Sequence, residues 1–254
     1  MMLHARWQGK RHSGKPTLIW LHGFLGNASD WDKVQRAFGD WPRLSIDLPG
    51  HGGSSGQRVS GFDELCQRIN QTLMAHQISH YWLIGYSLGG RVAMHYACRN
   101  RADGLCGLIV EAGHTGLSDE MARHQRQRKD KEWAQRFRTQ PLRQTLEAWY
   151  CQPIFAEMLP RERQQVIGDR AGGYAPALAD MLEATSLSRQ PDLLPELHQL
   201  RLPFSYLCGE RDSQYQQFAR EMALPLHTVT AAGHNAHRAN PAAYAQLLTQ
   251  IIGR

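Results

Sequence analysis

No stretch of this 254-residue chain approaches the ~20 consecutive apolar residues that a membrane-spanning helix needs. The apolar run nearest the N-terminus, Thr17–Leu21, is too short for the hydrophobic part of a secretory signal. A cytoplasmic protein is therefore expected. Cysteine is scarce: Cys66, Cys98, Cys106, Cys151 and Cys208 make an odd five, with no C-x-x-C pair. Neither a disulfide framework nor a zinc site is suggested, and buried free thiols are expected. His234-Asn235-Ala236-His237 has a metal-like spacing, but no further Cys or His set accompanies it. No metal and no cofactor are expected.

Acidic residues are the minority. Asp and Glu number 23 against 29 Lys and Arg, a formal net charge of +6. Such an excess fits nucleic acid, an anionic membrane or small anionic substrates, and its position decides among them. Most of it lies in residues 121–144, MARHQRQRKDKEWAQRFRTQPLRQ, where Glu and Asp are interleaved and no nucleic-acid-binding module is visible. The expected partner is a small polyanionic substrate, with neither nucleic acid nor membrane involved.

What is present is an alternation of strands and helices. Strand signals lie at 17–21, at the start of 43–56 before a glycine-rich loop, at 81–85, within 104–114 and within 202–212 and 224–237. Between them Trp31, Val34 and Phe38, and then Phe62, Leu65, Ile69, Leu73 and Met74, recur at helical spacing. Asn240, Pro241 and Gly253 mark the ends of a last helix. This pattern predicts an α/β fold, a mostly parallel central sheet with helices on both faces. From 115 to 189 no strand-like run occurs. That block reads as a helical cap inserted between two strands of a core formed by 1–114 and 190–254. Ligands of such sheets bind at the carboxyl ends of the strands.

Gly85-Tyr86-Ser87-Leu88-Gly89 follows the strand at 81–85 and opens a helix, the context that gives G-x-S-x-G its meaning. Its glycines permit a sharp turn that exposes the serine hydroxyl. The bland reading of Ser87 is a helix N-cap. Gly52-Gly53-Ser54-Ser55-Gly56 matches the same pattern but follows a Pro-Gly loop, and Ser54 is read as loop. A nucleophilic serine needs a base and an orienting acid. Asp212 in CGERDS and His234 in AAGHNAH follow strands and are the candidates, with Glu210 and His237 as rivals. The amide of Leu88 would supply one oxyanion donor. The other would come from Phe24 in His22-Gly23-Phe24, on a loop assigned to the end of the third strand.

Three arginines bear on the substrate. Arg126 lies near the azimuth of Trp133 and Phe137 on its helix, so it faces inward while Arg128 faces water; a stem packed on the body with a solvated head is the alternative. Arg91 sits one turn past Ser87, where a cation opposes the helix dipole at a cost of roughly 0.3–1 kcal/mol unless an anion compensates. Turn residues around Arg170 in GDRAGG leave it unassigned by pattern.

The runs HGFLG, DLPGHGGS, GYSLGGRVAM, HQRQRKD, WYCQPIF, MLEATSLSRQPDL, LCGERDS and AGHNAHRANP resemble one family over nearly the whole chain. It is the 2-succinyl-6-hydroxy-2,4-cyclohexadiene-1-carboxylate synthase (MenH) family of menaquinone-pathway lyases, within the α/β-hydrolase superfamily. The resemblance implies elimination of pyruvate from 2-succinyl-5-enolpyruvyl-6-hydroxy-3-cyclohexene-1-carboxylate. It implies that Ser87, activated by His234 and Asp212, is the base, and that the Phe24 and Leu88 amides hold the enolate. It further implies that Arg91, Arg126 and Arg170 bind carboxylates and that Tyr86 and Trp149 line the site. A serine carboxylesterase or carbon–carbon bond hydrolase of the same fold, acting on an anionic substrate, would use the same constellation. The intact Ser87, Asp212 and His234 argue against a non-catalytic binding protein.

Overall fold

The computed structural model describes residues 2–11, 14–99 and 103–253. Seven strands form one sheet: β1 Ala5–Gln8, β2 Thr17–Leu21, β3 Arg43–Ile46, β4 Tyr81–Tyr86, β5 Leu105–Glu111, β6 Phe204–Gly209 and β7 Leu226–Val229. Their order is β1-β3-β2-β4-β5-β6-β7. β1 runs antiparallel to β3, with Trp7 opposite Leu44. All other neighbours are parallel, Ile19 lying beside Leu83 and Leu83 beside Leu108. The sequence predicts six of these strands and misses β1. That edge strand has only four residues, half-buried and partly charged, so no apolar run announces it. One consequence is a renumbering: the His22-Gly23-Phe24 loop follows β2, the second strand, and not a third.

β2 and β4 are buried along their whole length, as strands covered on both faces must be. Their side chains alternate between two apolar layers. Ile19, Leu21 and Leu83 pack with Leu65, Ile69 and Val92 from the helices Phe62–Ala75 and Leu88–Arg99. Trp20 and Ile84 pack on the other face with Trp31 and with Leu248 of the helix Pro241–Ile252. Met74, placed by spacing on the buried face of its helix, is exposed; it falls past the edge of the apolar stripe that ends at Leu73. Asn240 caps the last helix as its sequence predicts, accepting from the Ala243 amide at 3.2 Å. Cys66 and Cys208 are buried, whereas Cys151 is exposed, and among the described residues no disulfide is formed. Among the described residues no helix is long and apolar enough to cross a membrane.

No strand lies between β5 and β6. The helices Glu120–Thr139, Leu142–Trp149, Pro160–Arg170 and Ala175–Ala184 occupy that span. They build an apolar cluster of their own around Phe137, Leu146, Val166 and Leu178, joined to the body through Phe24 and Leu25.

Two devices position the site. The first is the turn from β4 into the helix Leu88–Arg99, where Ser87 has φ +48°. A Cβ on Gly85 would meet Gly89 O at 2.3 Å, and one on Gly89 would meet Leu21 O at 2.3 Å. Only glycine lets the helix start this close to the sheet. The second is a pair of buried histidines that hold the loop after β2. The Leu48 amide donates to His22 Nε2 at 2.9 Å, so Nδ1 carries the proton and donates to Gly23 O at 2.8 Å. The Leu25 amide donates to His51 Nε2 at 3.0 Å, and His51 Nδ1 donates to Pro49 O at 2.9 Å. Both rings are therefore neutral. Burial pulls the pKa of His22 down and takes that of His51 to about 3.

Two expectations follow from these devices. Gly89→Ala should destabilise the protein by about 1–3 kcal/mol in urea unfolding, because the added methyl meets backbone; an unchanged midpoint contradicts this packing. Stability should also fall as pH falls from about 6.5 towards 4. In that window the unfolded chain binds protons at His22 and His51 that the folded chain refuses. Urea midpoints across this range check it, and His51→Gln should flatten the slope.

Candidate active site

Ser87 is held in its left-handed conformation by its own peptide bonds. Its amide donates to Glu111 O at 2.8 Å, and its carbonyl accepts from the Arg91 amide at 2.9 Å. Such a backbone costs about 1–3 kcal/mol and persists only where neighbours over-determine it. Asp212 lies just beyond β6 and caps the helix Ser213–Glu221, its Oδ1 accepting from the Tyr215 amide at 3.2 Å. Its Oδ2 lies 2.7 Å from Nδ1 of His234, and both side chains are buried. That bond places the proton on Nδ1 and leaves Nε2 as the basic nitrogen. The rings of Tyr215, Tyr86 and Phe155 surround the imidazole at 5.1, 5.4 and 5.8 Å between centroids.

The rivals have other duties. Glu210 is exposed and accepts from the Ala231 amide at 2.8 Å. His237 pairs with Glu111, its Nδ1 2.8 Å from Oε2.

Ser87 and His234 line one cavity of about 250 Å³ at the carboxyl ends of the strands. Arg91, Arg126, Lys129 and Trp149 line it too. A smaller hollow of about 40 Å³ continues from Ser87 past Gly23, Phe24, Tyr86 and Arg170. Phe24 lines this hollow with the serine, and Leu88 follows the serine in the chain. A Cβ on Gly23 would come within 3.5 Å of Ser87 Cβ and 2.6 Å of the Tyr86 ring, so the loop lies directly on the turn. Leu88 opens its helix, where an amide has no carbonyl one turn earlier.

The arginines differ in what they already hold. Arg91 is buried and meets neutral acceptors, Gln190 Oε1 at 2.6 Å and Thr185 O at 2.7 Å, with its guanidinium 5.2 Å above the Phe62 ring. Burial, with Arg126 nearby, lowers its pKa to about 9. It remains a cation at neutral pH, but an uncomfortable one that an incoming carboxylate would relieve. Arg126 is half-buried, lines the cavity and lies 2.9 Å from both oxygens of Asp130. Arg128 is exposed, as the helical azimuth predicts.

Arg170 differs from the expectation of a free carboxylate binder. It reaches the smaller hollow, but its Nη2 already lies 2.6 Å from both oxygens of Asp30, and Arg238 joins the same carboxylate at 2.9 Å. Arg170 thus ties the helical segment to the loop after β2. Trp149 forms an aromatic wall with Phe24, Trp133 and Phe137, centroids 5.1, 5.0 and 5.9 Å away. The Tyr86 hydroxyl donates to Asn235.

Sequence reading missed three lining groups. Lys129 is exposed at the cavity and makes no ion pair among the described residues; helical spacing alone left it indistinguishable from its charged neighbours. His114, whose pKa burial and the two arginines lower to about 4, faces the cavity as a neutral ring. Phe155 lines both hollows. Among the described residues no cluster of three or more His, Cys, Asp or Glu is arranged to hold a metal ion.

This geometry agrees with what the chain is similar to. The profile of the "Alpha/beta hydrolase family" matches residues 18–247. A 2-succinyl-6-hydroxy-2,4-cyclohexadiene-1-carboxylate synthase of Yersinia pseudotuberculosis is 52% identical over 96% of this chain and 89% of its own. One of Yersinia enterocolitica is 49% identical over 99% and 91%. The structure of MenH from S. aureus superposes with a TM-score of 0.90 at 25% identity, covering 99% of this chain and 98% of that one. An enol-lactonase from Burkholderia xenovorans, at 19% identity and a TM-score of 0.80, shares the fold over 99% of this chain and 96% of that one. With a strained serine over a histidine–aspartate pair and this breadth of likeness, the chain belongs to the 2-succinyl-6-hydroxy-2,4-cyclohexadiene-1-carboxylate synthases of the alpha/beta hydrolase family.

Proposed function

We propose that this protein eliminates pyruvate from 2-succinyl-5-enolpyruvyl-6-hydroxy-3-cyclohexene-1-carboxylate in menaquinone biosynthesis, with Ser87 as the base. The observation that carries the reading is the Asp212–His234 bond of 2.7 Å beside a cavity shared by Ser87 and three cations. His234 Nε2 takes the Ser87 proton, and Asp212 stabilises the imidazolium that forms. The serine oxygen then removes the ring proton next to the succinyl ketone. The resulting electron pair passes through the enolate and the ring to expel the enolpyruvyl oxygen as the enolate of pyruvate, which takes up the proton held by the His234 imidazolium and leaves as pyruvate. No water is consumed. The developing oxyanion lies between the Phe24 and Leu88 amides. Two such fixed donors suit an enolate as well as a tetrahedral intermediate, because both concentrate charge on one oxygen.

The substrate carries three carboxylates. Arg91 and Arg126 hold two of them, and Lys129 at the mouth attracts the third. Arg170 acts from the smaller hollow while paired with Asp30. Tyr86 and Trp149 shape the walls. The helices between 115 and 189 act as a cap over the core, and the reaction takes place in the cytoplasm, where thiols outside disulfides are stable.

Ser87→Ala should lower pyruvate release by about 10³-fold or more while product binding, measured by calorimetry, stays near wild type. Retained release would overturn the scheme, and faster turnover of a nitrophenyl ester than of the enolpyruvyl substrate would favour an ester hydrolase. Lys129→Gln should leave thermal unfolding unchanged and raise KM about 2–5-fold, more at low ionic strength, with kcat unchanged. A KM insensitive to this change removes Lys129 from the site.

A further inference from the structure

Glu111 ends β5 with its side chain fully buried, and nothing in the scheme above uses it. Both its oxygens face His237 Nδ1, at 3.0 and 2.8 Å, and Oε1 also accepts from the His237 amide at 3.2 Å. The carbonyl of the same residue accepts from the Ser87 amide at 2.8 Å. His237 is itself buried, its ring tilted against Trp31 at 4.4 Å and against Tyr86 at 4.7 Å. Tyr86 precedes Ser87 and bonds Asn235, which follows His234. One residue thus reaches both halves of the site: the serine turn through its backbone, and the histidine loop through its side chain.

A carboxylate in this position is expensive. Removing it from water costs several kcal/mol, and an apolar pair of the same volume would hold the sheet at least as well. What an apolar pair lacks is direction. Two oxygens on one ring nitrogen and one amide set the height and the angle of the 234–237 loop against β5. The carbonyl on the Ser87 amide sets the strained turn against the same strand. A misplacement of about 1 Å between reacting groups costs on the order of 10²-fold in rate.

We propose that Glu111 and His237 are positioning residues, a buried acid–imidazole pair that fixes the His234 loop relative to the Ser87 turn. Glu111 lines neither hollow, and His237 reaches only the wall of the smaller one. The inference rests on the assignment of Ser87 and His234 made above.

The test is steady-state pyruvate release by the full-length enzyme, with far-UV circular dichroism and product binding on the same samples. The double variant Glu111→Leu/His237→Phe removes both polar partners and leaves neither one buried alone. It should fold and bind product within about threefold of wild type while kcat falls about 100-fold and KM changes little. Glu111→Gln keeps an acceptor for the His237 amide and ring, and should restore kcat to within about fivefold of wild type. If the double variant is insoluble, Glu111→Gln/His237→Phe, which buries no unpaired charge and keeps an acceptor for the amide of residue 237, carries the same expectation. A double variant with wild-type kcat, or one whose loss only follows the lost folded fraction, overturns the proposal; so does a glutamine variant as impaired as the double. Ser87→Ala serves as the control. If it stays active, the assignment of the base has failed, and not the positioning pair.

Discussion

Ser87 occupies a backbone conformation that a residue with a side chain adopts only under constraint, and most of the surrounding architecture supplies that constraint. β4 delivers the chain to the top of the sheet, and the glycines at 85 and 89 let the following helix begin against Leu21 with no side chain between. Glu111 on the neighbouring strand takes the serine amide, and the helix takes its carbonyl through Arg91. The hydroxyl is left as the only group of that residue with freedom to act. Relaxing the turn by rotating φ into the ordinary region would redirect the hydroxyl within the cavity that Ser87 shares with His234. In the proposed scheme the strain thus serves the alignment of base and oxyanion donors.

The electrostatics follow a division of labour. Charges that maintain structure are neutralised inside the protein: Arg170 and Arg238 share Asp30. Charges at the cavity are not fully neutralised. Arg91 has neutral acceptors only, Arg126 shares Asp130 with Ser186, and Lys129 has solvent. A cavity whose cations are under-compensated binds a polyanion because the anion repays a desolvation cost already incurred on folding. Histidines are treated the opposite way. His22, His51 and His114 are held neutral by burial, and the first two keep the loop that carries Phe24 in shape around neutral pH.

Much of this was legible in the chain. The parallel strands announce themselves as short apolar runs because they are buried on both faces. G-x-S-x-G names the serine because glycine is demanded by contacts that no other residue survives. Asp212 and His234 are found because each follows a strand whose carboxyl end faces the site. Arg126 is found by its angular relation to Trp133 and Phe137. β1 left no trace, since an edge strand need not be apolar, and Met74 was misplaced because an apolar residue can sit just outside a buried stripe.

By itself, then, the order of residues determined the α/β alternation, the candidate serine and the basic character of the site, all properties of local spacing and residue chemistry. Only the tertiary structure decided that Asp212 and not Glu210 meets His234, that His237 belongs to Glu111, and that Arg170 is already held by Asp30. Those are pairings between residues 22, 126 and 140 positions apart. Such choices depend on how strands and loops stack in space, and no local periodicity carries that information.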